Sequence, residues 1–348
     1  MTVARILTQP HAAGEIELYR VTNASGAYVD LCNIGAGVAA VVVPDREGGM
    51  ADVALGYRNP ADYIGDGACF GKIPGRFANR IAGGRFVLDG HTCRLAVNNG
   101  PNHLHGGPTG FANRIWQSHP QKDGVTFTYR SPDGEEGYPG TLCVRASYTW
   151  NDDCELRLLL EASCDAPTVV NLTNHSYWNL AGEQSGPVLD HELRLYASRW
   201  LPTDDTLIPD GTLADVAGTP MDFRTPKALG RDMGADFPAL AYGKGYDNCW
   251  AVDGWRPGVE SPVAELRDPH TGRRMTVRST QPGVQIYTGN WLAGSPLSKS
   301  GRPYNDYDGV AIECQGFPDA PNHPDFPSAV LRPEQSYRQT IRFRFCTE

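Results

Sequence analysis

Hydrophobic and polar residues alternate with a period of two over much of the chain. Val125, Phe127 and Tyr129 are separated by Thr126 and Thr128, and Leu142, Val144, Ala146 and Tyr148 by Cys143, Arg145 and Ser147. Leu156, Leu158 and Leu160 resume the pattern after an Asn151-Asp152-Asp153 turn. Successive strand side chains point to opposite faces, so each run predicts a strand with one face in a core and the other towards solvent. Arg85–Leu88, Asp89-Gly90 and His91–Leu95 predict a hairpin, because an Asp-Gly pair tolerates the positive φ angles of a type I′ turn. Ile341, Phe343 and Phe345 alternate with Thr340, Arg342 and Arg344, which carries a last strand almost to the final residue.

Helical periodicity is weak and predicts at most a turn or two near Pro226 to Met233. The 39 glycines and 27 prolines are spread evenly, with no linker, low-complexity tract or internal repeat. The expected architecture is therefore all-β, with residues 1–348 forming one domain.

Composition narrows the function classes. The net charge is −9 and the basic residues are scattered, so no footprint for nucleic acid is present. No apolar run approaches the ~18 residues of a membrane span. The opening MTVARILTQPHAAGE lacks the apolar stretch of a secretory leader. Nine cysteines, odd in number, widely spaced and without a CxxC, suggest neither a disulfide framework nor a zinc knuckle. The expectation is a cytoplasmic protein with no nucleic-acid or membrane partner, most of its cysteines buried as small hydrophobes.

Three polar islands interrupt the strand pattern. GRFANRIAGGRF leads into VNNGPNHLHGG, which places Arg76, Asn79 and Arg80 before the hairpin and His103 and His105 after it. Histidines at i and i+2 on a strand can converge on a metal, but no third ligand stands at a useful local spacing, and the reading adopted is that there is no metal site. In NLTNHSYWNL, an extended backbone would give Asn171, Thr173 and His175 one face and Leu172 and Asn174 the other. That stretch alone fits either a buried strand histidine or a pocket wall with Tyr177 and Trp178 as flat apolar surface. In DGVAIECQGFPDAPNHPDFPS, Glu313 shares a face with Ala311 and Gln315 in the middle of an apolar strand. A carboxylate so placed needs a partner or a raised pKa, and the latter suits a general base near neutral pH. Gln285 and Tyr287 in GVQIY and Asp247 in the GYDN turn add hydrogen-bonding groups of the kind a polyhydroxylated sugar requires.

Together, GRFANRIAGGRFVLDG, NNGPNHLHGGPTGF, NLTNHSYWNLAG, the YDN turn, PGVQIYTGNWL and ECQGFPDAPNHPDFPS resemble the aldose 1-epimerases, or galactose mutarotases. The resemblance runs from about residue 70 to the end of the chain. It implies a large antiparallel β-sandwich (the mutarotase-like supersandwich), no cofactor, and a monosaccharide ligand for a monomer or homodimer. It assigns Glu313 as general base and His175 as general acid, with Asn79, Arg80, His105, Asp247 and Gln285 binding substrate; His103 is not carried over. Trp178 replaces a common phenylalanine, and Cys314 a common proline or threonine. The implied activity is interconversion of the α and β anomers of a free hexose such as galactose or glucose. The alternatives are a non-catalytic lectin-like sandwich, a glycosidase using Asp247 as second carboxylate, and an epimerase of hexose 6-phosphates should Arg76 or Arg114 face the pocket.

Overall fold

The alternating segments pair into ladders that are all antiparallel, in a computed structural model describing residues 1–348. Leu142–Trp150 buries every second residue, and Glu155–Cys164 repeats that pattern beside it. These two strands lie within a nine-stranded sheet whose centre also holds the last strand, Tyr337–Thr347, paired on one side with Glu155–Cys164 and on the other with Arg273–Ser279. A six-stranded sheet is built around Val310–Gln315, Gly283–Tyr287 and Asp247–Ala251, and a five-stranded meander occupies residues 2–52. The predicted hairpin forms, with Asp89 and Gly90 at φ of 49° and 80° as its turn requires.

The two larger sheets face one another. Val125, Phe127, Leu158, Ile341 and Phe343 from the nine-stranded sheet share one apolar core with Trp250, Val284, Ile286, Val310, Ile312 and Cys314 from the six-stranded sheet. The sandwich is the expected fold. The opposite face of the six-stranded sheet carries Tyr177, Glu313, Gln285, Tyr287 and Asp247, because each stands opposite or two residues away from another along the ladders.

Two expectations need correction. Residues 226–233 contain only the two-residue strand Lys227–Ala228 and turns; the single short α-helix is Pro238–Gly243, where Pro238 occupies the first turn and Lys244 closes the end at φ 57°. Of the cysteines, Cys32, Cys69, Cys249 and Cys314 are buried, whereas Cys143 and Cys346 are exposed. No helix is long and apolar enough to cross a membrane.

Candidate active site

The sequence elements singled out above meet in one cavity of about 550 Å³ on the outer face of the six-stranded sheet. Asn79, Arg80, His105, His175, Asp247 and Glu313 line it, and Gln285 reaches it through Asp247. Two larger concavities, of about 770 and 750 Å³, open elsewhere, beside Arg145 and Glu161 and beside Trp255 and Phe317, and contain none of the seven.

The floor is the strand pair Gly283–Tyr287 and Val310–Gln315, where Gln285 stands opposite Glu313. Beside it, residues 170–176 follow residues 71–78 through scattered backbone bonds: His175 N–H donates to the Lys72 carbonyl and Gly71 N–H to the His175 carbonyl. The expected division of this segment holds although it is not a regular strand. Leu172 enters the core while His175 turns the other way, its Nε2 lying 3.4 Å from Glu313 Oε1. Both are almost fully buried, and Glu313 Oε2 and His175 Nδ1 have no partner.

A second layer fixes the histidine and the arginine. Arg80–Ile81 pairs with His103–Leu104, which brings the ANR and LHGG elements together. Asn79 and His105 both adopt left-handed backbone (φ 68° and 53°), a strained state for a histidine. Reciprocal bonds hold them: Asn79 N–H donates to His105 Nδ1 at 3.1 Å, and His105 N–H to the Asn79 carbonyl at 3.2 Å. A neutral His105 must then carry its proton on Nε2. Asn79 Oδ1 accepts from Arg80 N–H at 2.8 Å, and the Arg80 guanidinium donates to Asn99 Oδ1 at 3.0 Å and Asp247 Oδ2 at 3.3 Å. Asp247 Oδ1 accepts from Gln285 Nε2 at 2.7 Å. The His105 ring meets the His175 ring edge to face at 5.1 Å, and the Tyr177 ring lies 5.1 Å from that of His175 at a tilt of 34°.

Burial sets the proton affinities. It pushes Glu313 well above the ordinary glutamate value; Asp247 adds to the rise and Arg80 opposes it. Burial lowers His175 to about 4. His105 falls well below the imidazole value, first through burial and then through His175 and Arg80. Both shifts follow from the near-complete exclusion of the two groups from water.

Several expectations change. Trp178 does not line the cavity: it faces the sandwich core, with its ring 5.1 Å from Phe343 and 5.4 Å from Phe345, as its position next to pocket-facing Tyr177 dictates. His103 turns away from His105 and bonds Ala96 and Tyr138, each at 2.6 Å. Arg76 is buried against the carbonyls of Pro139 and Gly140, and Arg114 pairs with Glu135, so neither reaches the cavity. Sequence reasoning missed Asn99, Asp205, Leu207 and Trp291 on the cavity wall. Trp291 is 67% exposed at the mouth, its backbone N–H donating to Tyr287 Oη and its ring capped by the Lys244 ammonium at 4.2 Å. Its exposure could not be read from alternation, since it follows the strand end at Tyr287.

An antiparallel sandwich whose cavity holds an imidazole beside a carboxyl has the parts of an acid–base site, and comparison supplies the family. The family model described as aldose 1-epimerase matches residues 17–344. Galactose mutarotase from Bos taurus is 42% identical over 97% of this chain and 96% of its own length, and aldose 1-epimerase from Escherichia coli K12 is 37% identical over 95% of each. Among solved structures, an aldose epimerase homologue from C. elegans superposes with a TM-score of 0.87 at 31% identity, covering 95% of this chain and 98% of that one. Galactose 1-epimerase from Lactobacillus acidophilus superposes with a TM-score of 0.86 at 27% identity over 99% of each. The chain belongs to the aldose 1-epimerase family.

Proposed function

We propose that the protein interconverts the α and β anomers of a free hexose such as galactose or glucose, with Glu313 as general base and His175 as general acid. The observation that carries this reading is the 3.4 Å contact between His175 Nε2 and Glu313 Oε1 on the floor of the cavity. Ring opening removes a proton from the C1 hydroxyl and adds one to the ring oxygen. Both oxygens are bonded to C1, so an acid and a base that serve them must be neighbours. Glycosidases instead set two carboxyl groups across the bond, about 5–10 Å apart. Here Asp247 is tied to Arg80 and Gln285, and the group beside Glu313 is an imidazole.

The pair needs one proton between its two members. With that proton on His175, Glu313 is a carboxylate; it takes the C1 hydroxyl proton while His175 protonates the ring oxygen and the C1–O5 bond breaks. The neutral pair that results is the form burial favours. An imidazolium lowered to about 4 is a stronger acid than usual, and a carboxylate with a raised pKa a stronger base, so burial favours both transfers. The aldehyde rotates about C1–C2, and closure returns both protons by the reverse path. Every step is a proton transfer, the breaking or re-forming of the C1–O5 bond, or a rotation. Turnover should fall when the pair gains a second proton at low pH and when it loses its last one above the raised Glu313 value.

Asn79, Arg80, His105, Asp247 and Gln285 are proposed to hold the sugar hydroxyls: together they offer donors and acceptors around the floor. The working form is proposed to be a monomer or a homodimer. The apolar core running from Tyr19 to Phe345 supports one working domain, and nine free cysteines fit a reducing, cytoplasmic setting.

Wild-type protein should accelerate the mutarotation of freshly dissolved α-D-galactose or α-D-glucose, followed by polarimetry. Glucose 6-phosphate should be turned over at least about tenfold less efficiently. The only arginine or lysine lining the cavity, Arg80, is already paired with Asp247, while Asp205 adds a further carboxyl group to the wall. Binding without acceleration would instead mean a lectin.

A further inference from the structure

The seven site residues leave other buried polar groups unused. Alternation along Val310–Gln315 turns Gln315 to the same face as Glu313, one step deeper beneath the cavity. Gln315 is fully buried, and neither its amide nitrogen nor its amide oxygen has a partner. Glu313 Oε2 is buried and unpartnered too. Across the ladder from Gln315 stands Gly283, which places no side chain over the amide.

Thr173 enters the same layer from the neighbouring segment. Asn171 Oδ1 accepts from Gly316 N–H at 2.7 Å, and His175 approaches Glu313. The stretch between them therefore runs beside Glu313–Gly316, and alternation gives Thr173 the face shared by Asn171 and His175. Thr173 is fully buried and its Oγ1 has no partner. Three side chains thus carry complementary donors and acceptors in one buried layer, where unmet groups are costly.

We propose that Gln315 is a positioning residue for Glu313: its amide N–H donates to Oε2 of the ionised carboxylate, directly or through one bridging water, while its carbonyl accepts the Thr173 hydroxyl. The neutral carboxyl makes little demand on this layer. The ionised form does, since a carboxylate oxygen facing the buried interior needs a donor, and an amide braced from behind supplies one without adding charge. The layer thus favours the form of Glu313 that removes the sugar proton. This inference rests on Glu313 being the base.

The test is Gln315→Met, which keeps length and volume and removes both donors. Galactose mutarotation is followed by polarimetry between about pH 4 and pH 10, after subtraction of the uncatalysed rate. We expect kcat to fall about tenfold to a hundredfold, the weight of a hydrogen bond to a charged group, with KM within about twofold. The alkaline limb should also move up by about one pH unit, because a carboxylate without its donor holds a proton more tightly. Thr173→Val should move the limb the same way by less, and the double variant should match Gln315→Met. A merely structural role would lower the active fraction at every pH and leave the limb in place. An unmoved alkaline limb in these variants overturns the inference, and Thr173→Val alone decides it if Gln315→Met does not fold. Full activity in Glu313→Gln would overturn the base assignment itself, whereas an unmoved limb beside an inactive Glu313→Gln overturns only the role of Gln315.

Discussion

His175 and Glu313 each sit where burial opposes their charged form, and the opposition has opposite consequences for stability. The folded state holds the Glu313 proton more tightly than the unfolded chain, so stability is lost as pH rises from the ordinary carboxyl value, about 4.3, through the raised one. The lowered His175 acts in the other sense: stability rises with pH between its value of about 4 and the unfolded imidazole value. Glu313→Gln removes the first term and keeps the second. Its melting temperature should exceed that of the wild type by roughly 1–3 °C, with a gap that widens between about pH 5 and pH 8. A gap that is constant with pH, or reversed, contradicts the burial argument. The strained His105 and Asn79 add to the same picture, since both are held in left-handed backbone by bonds to each other and both face the cavity.

At the level of the strand, one alternation separates the core from the site. Ile312 and Cys314 enter the sandwich while Ala311, Glu313 and Gln315 turn outward, and Tyr177 and Trp178 part in the same way. Trp178→Phe should therefore leave kcat and KM within about twofold of wild type, whereas Trp291→Ala should raise KM; steady-state kinetics on galactose checks both. The alternation was legible because β-strands write their two faces directly into sequence, and so were the hairpin and the last strand; the convergence of His175 with Glu313 was implied only by the family resemblance, since the two lie far apart along the chain. The adjacent tryptophan was misread as a wall because it was judged by its neighbours along the chain and not by the face it occupies. Trp291, Asn99, Asp205 and Leu207 lie in connections between elements, where position depends on what the loop packs against and no periodicity marks it. The short helix escaped for a related reason: six residues are too few to show a helical period.

For the whole molecule, the final strand decides whether there is a sandwich at all. Tyr337–Thr347 lies between Glu155–Cys164 and Arg273–Ser279 and contributes Ile341, Phe343 and Phe345 to the central core. Deleting residues 337–348 should abolish cooperative unfolding by circular dichroism, because it splits the nine-stranded sheet at its middle and exposes two strand edges. A truncated chain that still melted cooperatively and retained activity would show that the two halves fold independently. That core supports the rigid floor on which the central claim rests, the joint action of Glu313 and His175 on one sugar. The most direct test is polarimetry of freshly dissolved α-D-galactose with Glu313→Gln, after its fold has been verified by melting. The account predicts that mutarotation drops by at least about 10²–10⁴-fold towards the spontaneous rate; a rate like that of the wild type would contradict it.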